Sequence, residues 1–439
     1  MGQRFYIETL GCPKNQVDSD KLTGTLLADG FSATDDAAAA DLVVVNTCAF
    51  IEDARRESID TILALTEQRK DGARVVVTGC MAERYGDELA EALPEVDQVA
   101  GFGVAVAAPP AGRKLIPVGT AELPSFDLLN LPRPRSARPW AYVKIAEGCD
   151  RSCGFCAIPS FRGPQRSRSV EQILDEVDAL GAQEIVLVAQ DLASYGRDVA
   201  AGGALVTADP SRRRSQPIVD LVRAVSARVP WTRLLYLYPS DLTDELIDTI
   251  LGTGVPYFDL SLQHVSKPLL RRMRRWGDGD RFLQRIEAIR ERDANAAFRS
   301  NFIVGYPGET EADHDQLLSF VEDAELDWCG FFAYSAEDGT RAATLDGRVD
   351  ESVMHERLAE LRELQDGITA GRRDVLIGTT QRVLVDEPGV GRTTREAPEI
   401  DGVVELPGDL TVGSFADVEI VDALGPDLVA GRALVAGSA

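Results

Sequence analysis

The sequence lacks the features that mark a membrane-spanning or secreted protein. No apolar run approaches the ~20 residues that a helix needs to cross a bilayer. The opening run, MGQRFYIETLGC, contains neither an extended apolar stretch nor the small-residue cleavage site of a secretory signal. We therefore expect a cytoplasmic protein, in which thiols stay reduced and clustered cysteines indicate metal binding or catalysis more often than disulfides.

Positive charge is also scarce. The chain carries 46 Lys and Arg against 71 Asp and Glu, a formal net charge of −25. Proteins that bind nucleic acids normally present basic surfaces, because neutralising phosphates drives the association. A chain this acidic repels polyphosphates on average and attracts basic proteins, although a local basic patch can override the average.

What the sequence does contain is a cluster of cysteines in the run EGCDRSCGFC, at Cys149, Cys153 and Cys156. Thiolates are the usual ligands of iron–sulfur clusters, which are normally held by four of them. Three thiolates can bind three irons of a cubane and leave the fourth iron open. The C-x-x-x-C-x-x-C spacing is similar to that of the radical S-adenosylmethionine enzymes, in which the open iron binds the cofactor. A structural zinc site and an accidental cluster are the alternatives, but zinc needs four ligands and no His or fourth Cys lies nearby.

Residues 1–115 alternate short apolar runs with helical periodicity, which predicts a doubly wound α/β domain with a parallel sheet. The predicted strands are residues 4–9, 41–47 and 73–79, and the predicted helices are residues 18–30 and 53–69. Residues 116–139 are predicted to form an extended linker, because they contain Pro117, Pro124, Pro132, Pro134 and Pro139.

Residues 140–372 continue the strand–helix rhythm. Six strands with intervening helices predict an open (β/α)6 barrel, whose chemistry gathers at the carboxyl ends of the strands. The strands are predicted at 142–147, 184–190, 233–238, 257–263, 298–305 and 329–335, and the helices at 169–180, 243–251, 281–292, 311–324 and 352–373. Residues 373–439 contain several short β-rich runs between Gly and Pro, which predict a small β-barrel.

A second set of cysteines, Cys12, Cys48 and Cys80, follows the three predicted N-terminal strands. The carboxyl ends of parallel strands meet at one edge of a sheet, beside the crevice where doubly wound folds bind ligands. These thiolates can therefore converge on a second cluster although no local motif links them. The alternatives are buried core cysteines, or a dinucleotide site, for which GFGVAV at 101–106 is a poor fingerprint. The seventh cysteine, Cys329, is interpreted as a core residue.

With these two cysteine sets, the chain resembles the methylthiotransferases over essentially its whole length. The motifs that carry the resemblance are ETLGCPKNQVDSD, NTCAFIEDA, VTGCMAERY and AEGCDRSCGFCAIPSFRG around the cysteines, and LQHVSKPLLRRMRR, FIVGYPGETE and APEIDGVV further on. The wording TLGCPKNQVDSD and LQH looks like the RimO type, the branch that modifies ribosomal protein twelve of the small subunit. The branch that modifies tRNA is expected to have Gln-Met after the first Cys and Gln-Ser-Gly in place of Gln-His.

The resemblance implies a radical reaction that uses two [4Fe-4S] clusters and S-adenosyl-L-methionine in two roles. A cluster on the C-x-x-x-C-x-x-C cysteines would cleave the cofactor to a 5′-deoxyadenosyl radical, which removes a hydrogen from the β-carbon of an aspartate in ribosomal protein twelve. A cluster on Cys12, Cys48 and Cys80 would hold the methylated sulfur that the carbon radical takes up. The implied partners are that protein, free or in its subunit, a low-potential electron donor and a sulfur-delivery protein, with no membrane and no tRNA substrate.

The same resemblance places the methionine end of the cofactor against strand ends of the barrel. The residues expected to contact the cofactor are Gln190, Asp191, Ser240, Arg299 and Gly305. A role in barrel structure is the alternative for each of them.

Two further features of the barrel segment are open to interpretation. His264 is either a substrate contact or a hydrogen-bonded residue at the end of a strand. Arg271, Arg272, Arg274 and Arg275 lie beside Trp276, and they either steer a carboxylate or ribosomal RNA or form a solvated helix face.

The C-terminal segment resembles the TRAM module, which is expected to be basic in tRNA-modifying relatives. Residues 373–439 here contain five Arg, no Lys and twelve acidic residues, a net charge of −7. This sign favours a basic ribosomal protein over tRNA as the partner. A tRNA adenosine methylthiotransferase and a non-catalytic iron–sulfur electron carrier are the competing hypotheses, and the carrier would bind clusters without cleaving the cofactor.

Overall fold

A computed structural model describes residues 2–107, 128–198 and 216–433, which form two compact units. The first unit comprises Met1–Arg135, Ala146–Asp150 and Ala157–Arg168, and the second unit comprises the remaining segments. The chain therefore changes unit within the three-cysteine loop, after Cys149 and before Cys153. Pro117 and Pro124 of the predicted linker lie outside the described residues.

The helices and strands follow one another through the described residues. The strands are β1 (Arg4–Thr9), β2 (Ser32–Ala33), β3 (Leu42–Thr47), β4 (Arg74–Gly79), β5 (Gln98–Ala100), β6 (Trp140–Lys144), β7 (Ala146–Glu147), β8 (Arg166–Ser167), β9 (Glu184–Val188), β10 (Trp231–Leu234), β11 (Tyr257–Gln263), β12 (Ala297–Val304), β13 (Trp328–Ala333), β14 (Thr380–Glu387), β15 (Val390–Arg392), β16 (Val404–Glu405), β17 (Phe415–Leu424) and β18 (Asp427–Ala433). The helices are α1 (Pro13–Ala28), α2 (Glu52–Gln68), α3 (Cys80–Ala92), α4 (Ile158–Arg162), α5 (Val170–Leu180), α6 (Pro217–Ser226), α7 (Asp244–Leu251), α8 (Lys267–Arg272), α9 (Gly279–Arg292), α10 (Glu311–Ala324) and α11 (Glu351–Asp374). None of these helices is long and apolar enough to span a bilayer.

The first unit is built on a parallel sheet with the strand order β2-β1-β3-β4-β5. This is the order of flavodoxin-like doubly wound sheets, whose ligand crevice lies at the switch point between β1 and β3. The Val-rich strands β3 and β4 are almost wholly buried, as expected for a sheet covered on both faces. The predicted doubly wound domain is confirmed.

Two helices of this unit differ from those that the sequence predicts. Helix α1 starts at Pro13 and not at residue 18, because proline lacks an N–H and suits the first turn, where that group would have no helical partner. Helix α3 starts directly at Cys80 and is not among the predicted helices. Gly79 makes the abrupt change from strand to helix with φ +92°, a conformation that favours glycine.

The second unit contains six parallel strands in two sheets, in the orders β10-β9-β6 and β11-β12-β13. A parallel bridge between Leu237 and Leu260 joins the two sheets. The strand order β6-β9-β10-β11-β12-β13 confirms the predicted open (β/α)6 barrel. Helix α6 is not predicted by the sequence, because its three Val and one Ile are β-branched residues that weaken a helical signal.

The C-terminal segment forms a closed barrel in the order β14-β15-β16-β18-β17, which confirms the predicted small β-barrel. Residues 392–401, between β15 and β16, contact the amino-terminal ends of the (β/α)6 strands. Arg392 pairs with Glu184 at 2.8 Å at the start of β9, and Tyr257 at the start of β11 donates a hydrogen bond to Asp401 at 2.6 Å. These buried polar contacts tie the two parts of the second unit together.

Candidate functional site

Cys12, Cys48 and Cys80 lie together at the carboxyl edge of the parallel sheet. Cys12 caps the start of α1 after β1, Cys48 follows β3, and Cys80 begins α3 after β4. The three strands are neighbours in the sheet. Burial, together with the negative charge that Cys12 and Cys80 carry when ionised, raises the pKa of Cys48 to about 12. The three sulfurs are therefore within electrostatic reach of one another, as the strand order predicts.

The buried side chain of Asn15 links the three segments that carry these cysteines. Its Nδ2 donates to the carbonyl oxygens of Leu10 at 2.8 Å and Thr47 at 3.0 Å, which lie just before the first two cysteines. The thiol of Cys80 lies 3.6 Å from the Asn15 Oδ1, a distance suited to a weak hydrogen bond from sulfur. One amide thus fixes the spacing of all three cysteine-bearing segments.

Arg162, the last residue of α4, brings a positive charge to the same place. Its Nη2 donates to the Cys80 Sγ and to the Asn15 Oδ1, both at 2.9 Å. Its Nη1 donates to Glu147 at 2.9 Å and to Asp18 at 3.3 Å. Although burial opposes its charge, the pKa of Arg162 is well above its ordinary value, because Cys80, Glu147 and Asp18 face it.

The three thiols ionise to different extents. Burial would raise the pKa of Cys12, but the Lys14 ammonium, backbone N–H groups at the start of α1 and Arg162 together lower it. At Cys80 burial outweighs Arg162, and the pKa is raised. Iron binds thiolates, so cluster binding would release protons here and would be favoured by higher pH.

This donor set fits an iron–sulfur cluster better than a single metal ion. Within the described parts of the chain, no three His, Cys, Asp or Glu side chains are placed to hold one ion. A cubane carries its thiolates on separate irons, so its ligands lie farther apart than those of one ion. Three cysteines around a common centre, with a guanidinium against one of them, suit a cluster with net negative charge.

Cys149 of the three-cysteine loop is buried in the first unit. Its backbone N–H donates to the carbonyl oxygen of Gly163 at 3.1 Å. Gly148, just before it, has φ +80°, and a Cβ there would collide with the carbonyl oxygens of Gly163 and Pro164. Only glycine permits this close approach, which fixes the entry of Cys149 into the loop.

Cys153 and Cys156 form a turn in the second unit, where the N–H of Cys156 donates to the carbonyl of Cys153 at 3.2 Å. The N–H of Gly154 donates to the carbonyl of Met273 at 2.8 Å, so the turn rests on the segment after α8. The Nη1 of Arg275 donates to the Cys153 Sγ at 3.3 Å. An arginine therefore contacts a thiol in this set as well.

Arg151, between the cysteines of the same loop, ties it to the carboxyl ends of β9 and β10. Its guanidinium donates to the buried carboxylate of Asp191 at 2.6 Å and pairs with Asp241. It also stacks on the ring of Tyr238, 3.8 Å from the centroid, and Arg275 stacks on the same ring at 4.2 Å. These cation–π and ionic contacts fix the loop at the end of the barrel where chemistry is expected.

Most residues predicted to contact S-adenosylmethionine lie just after carboxyl strand ends. Gln190 and Asp191 follow β9 closely and Gly305 directly follows β12, whereas Ser240 lies farther from the end of β10, in a 3-10 turn at Pro239–Asp241. Arg299 lies near the amino end of β12, where it pairs with Asp259 and Asp401. This placement favours the alternative, a structural role in the barrel, for Arg299.

The other residues singled out in the barrel have mostly structural surroundings. His264 is fully buried, its Nδ1 accepts a hydrogen bond from the N–H of Ser266 at 3.1 Å, and burial lowers its pKa to about 4. This favours the hydrogen-bonded interpretation over a substrate contact. Cys329 lies in β13, where it is half-buried, and burial raises the pKa of its thiol.

The arginine run at the end of α8 is not one solvated face. Arg271 and Arg274 are exposed, Arg272 pairs with Asp346 at 2.6 Å, and Arg275 contacts Cys153. Sequence reasoning does not predict that four residues would contact the cysteines or the segments that carry them. The available signal is that these residues lie in the cysteine-bearing motifs or in the arginine run. These residues are Asn15, Arg151, Arg162 and Arg275.

Comparisons with known proteins match three families along the chain. The Uncharacterized protein family UPF0004 matches residues 4–101, the Radical SAM superfamily matches residues 143–321, and the TRAM domain matches residues 377–432.

The chain is 43% identical to the ribosomal protein uS12 methylthiotransferase RimO of Cutibacterium acnes, with 97% of each chain covered. It is 42% identical to the protein of the same name from Streptomyces coelicolor, with 96% of this chain and 95% of that protein covered. Among solved structures, the radical S-adenosylmethionine methyltransferase TsrM from Kitasatospora setae has a TM-score of 0.46 at 16% identity, over 82% of this chain and 89% of that chain.

Proposed function

Because this chain belongs to the RimO family of ribosomal protein uS12 methylthiotransferases and is a radical S-adenosylmethionine enzyme, we propose that it inserts a methylthio group at the β-carbon of an aspartate in uS12. The observation that carries the proposal is that the three segments bearing Cys12, Cys48 and Cys80 all hydrogen-bond to the side chain of Asn15. A reaction that adds sulfur needs a place to hold it besides the radical site. The carboxyl edge of the first unit's sheet supplies that place.

Each cysteine set is proposed to hold one [4Fe-4S] cluster. Cys149, Cys153 and Cys156 would hold the cluster that binds S-adenosylmethionine, and Cys12, Cys48 and Cys80 would hold the second cluster. When bound, the clusters and the cofactor supply the hydrogen-abstracting radical and the methylated sulfur, because no side-chain acid or base can remove hydrogen from an unactivated carbon.

The residues of the chain position these groups. Arg275 holds the sulfur of Cys153, and Arg151 anchors the loop to Asp191 at the end of β9. Gln190, just after β9, and Ser240, in the connection between β10 and α7, are our candidates for direct contacts with the cofactor. Asp191 acts through Arg151 in this arrangement, and Gly305 shapes the end of β12.

The proposed substrate is uS12, free or in the small subunit, with a low-potential electron donor and a sulfur-delivery protein as further partners. The net charge of −7 over residues 373–439 supports a basic protein as the partner. A tRNA adenosine substrate is the second candidate. The exposed Arg271, Arg274 and Trp276 are the observation that favours it, since basic and aromatic side chains suit nucleic acids.

The test separates the two half-reactions with two variants of the full chain. One variant has Ala at Cys149, Cys153 and Cys156, and the other has Ala at Cys12, Cys48 and Cys80. After anaerobic reconstitution, the parent chain should hold about twice the iron of either variant. Of the two variants, only the second should form 5′-deoxyadenosine. Neither variant should methylthiolate small ribosomal subunits.

Equal iron in the parent chain and the variant that keeps Cys149, Cys153 and Cys156 would contradict the second cluster. Methylthiolation by that variant would contradict the role given to Cys12, Cys48 and Cys80. A parent chain that forms 5′-deoxyadenosine and leaves uS12 unmodified would point to tRNA.

A further inference from the structure

The proposed reaction assigns no role to Arg162, a buried residue of the first unit. Its side chain is 3% exposed. Burial of a guanidinium is unfavourable unless hydrogen bonds and opposite charges satisfy it. Its position is therefore explained by the groups it contacts, and one of these is the sulfur of Cys80 at 2.9 Å.

The contacts of this guanidinium allow one orientation. Its Nη2 donates to Cys80 and Asn15. Its Nη1 donates to Glu147 and Asp18, and its face lies on the ring of Phe102, 4.3 Å from the centroid. Arginine presents its donors in a rigid planar fork, so that a lysine cannot reproduce these contacts.

The charges around Cys80 are opposed. The guanidinium of Arg162 lies 2.9 Å from the Cys80 sulfur, and the carboxylate of Asp18 lies 3.3 Å from the same guanidinium. Two groups of opposite sign are therefore close enough to act on the same sulfur. Either one alone would shift the electrostatic potential at that sulfur.

We propose that Arg162 is a positioning residue for the second cluster. Its guanidinium donates a hydrogen bond to the Cys80 sulfur and raises the reduction potential of the cluster, whereas the negative charge of Asp18 lowers that potential. This inference rests on the proposed function, which places a cluster on Cys12, Cys48 and Cys80. Hydrogen bonds to the ligating sulfurs and net charge are two ways in which proteins set the potential of iron–sulfur sites. A positive charge favours the reduced cluster, since reduction adds negative charge.

The test uses the full chain with Ala at Cys149, Cys153 and Cys156, so that any bound cluster sits on the other set. In this background, Arg162→Gln removes the charge and keeps a polar side chain. Asp18→Asn removes the opposing charge and keeps the shape of the side chain. The iron-to-protein ratio, the rate of iron loss to a chelator and the midpoint potential, from a redox titration followed by EPR, are measured for each.

Arg162→Gln is expected to lower the midpoint potential and to weaken iron retention about 10- to 100-fold, the usual effect of losing a group that orients a metal ligand. Asp18→Asn is expected to move the midpoint potential in the opposite direction, upward. A purely structural Arg162 would reduce cluster content in Arg162→Gln without opposite shifts in the two variants.

Arg69→Gln is the matched control, because Arg69 pairs with the partly exposed Asp97 at 2.6 Å in the same unit. It should keep the potential of the background chain. If Arg162→Gln and Asp18→Asn bind a cluster with that same potential, the inference is wrong and the proposed function stands. If the background chain itself binds no cluster, the second cluster of the proposed function is wrong, and the inference is wrong with it. Should Arg162→Gln fail to fold, a midpoint potential that does not rise in Asp18→Asn still contradicts the inference.

Discussion

At the scale of single residues, Cys12, Cys48 and Cys80 are positioned by residues outside the proposed ligand set. Asn15 hydrogen-bonds to the segments before Cys12 and Cys48, and Gly79 turns the chain so that Cys80 follows directly. The sequence predicts that these three cysteines share one edge of the sheet, because each of them follows a predicted parallel strand. It does not predict Asn15, because a polar residue in the first turn of a helix is ordinarily explained by local capping.

Asn15→Ala tests this bridging role. The substitution leaves two buried carbonyls and one guanidinium N–H without their partner, which should destabilise the first unit by about 2–4 kcal/mol. The urea midpoint of the metal-free chain should therefore fall, and iron uptake by the variant that keeps only Cys12, Cys48 and Cys80 should fall with it. The exposed Asn295→Ala is the control. Equal midpoints and equal iron uptake for the two substitutions would contradict the bridging role.

His264 gives a prediction on pH. Burial holds its pKa at about 4 in the folded chain, below the ordinary value of 6.5. Between pH 6.5 and pH 4 the unfolded chain therefore binds a proton that the folded chain does not bind. The contribution of this residue to stability is complete above pH 6.5 and is lost as the pH falls toward 4.

The measurement compares the parent chain with His264→Asn, which keeps an acceptor for the N–H of Ser266 but does not titrate. The free energy of unfolding of the parent, relative to the variant, should fall by up to about 3 kcal/mol between pH 7 and pH 4. The same comparison with His355→Asn, at an exposed position, should show little change. If the difference in the free energy of unfolding between the parent chain and His264→Asn does not vary with pH, the imidazole is not buried in its neutral form.

At the scale of elements, strong periodicity predicts bounds closely and weak periodicity does not. The predicted bounds of β1, β11 and α10 agree with the structure, because these segments alternate or repeat without interruption. Helix α3 is missed since Gly86 interrupts it with a non-helical conformation. The contact of α4 with Cys80 is beyond prediction from sequence, because it depends on where the chain returns after the three-cysteine loop.

The three-cysteine loop depends on Arg275, and Arg275→Met tests this. Methionine cannot donate to the Cys153 sulfur and does not carry the charge that stacks on Tyr238. In a chain with Ala at Cys12, Cys48 and Cys80, the remaining cluster should be retained about 10- to 100-fold less tightly. Formation of 5′-deoxyadenosine should fall in parallel.

Arg271→Met is the matched control for this loop, because it removes an exposed arginine from the same run. It should leave iron content and cofactor cleavage unchanged. If Arg275→Met behaves like Arg271→Met, the contact with Cys153 has no part in holding the cluster.

At the scale of the whole molecule, the domain order and the charge are what the sequence predicts best. Family matches in the order UPF0004, Radical SAM and TRAM agree with the predicted doubly wound domain, open barrel and small β-barrel. The net charge of −25 is fixed by composition. The interior contacts that position each cysteine depend on tertiary structure, and composition does not predict them.

Charge also predicts how the substrate binds. Strand β17 exposes Asp417, Glu419 and Asp422, so their replacement by Lys should weaken binding of basic uS12 and reduce the salt dependence of its Kd. Replacement of the exposed Glu57, Asp60 and Glu67 by Lys makes the same change in net charge on the first unit and is the control. Equal weakening by both triple variants would mean that the total charge matters and the β-barrel surface does not.

The activity itself is tested most directly by mass spectrometry of uS12 and tRNA after anaerobic incubation of the reconstituted chain. The mixture contains S-adenosylmethionine, a reductant and small ribosomal subunits with bound or added tRNA. We predict a methylthio mass gain on one aspartate of uS12, absent when Cys12 or Cys153 is replaced by Ala. Unmodified uS12, together with 5′-deoxyadenosine formation and a methylthio group on a tRNA adenosine, would contradict the proposed substrate.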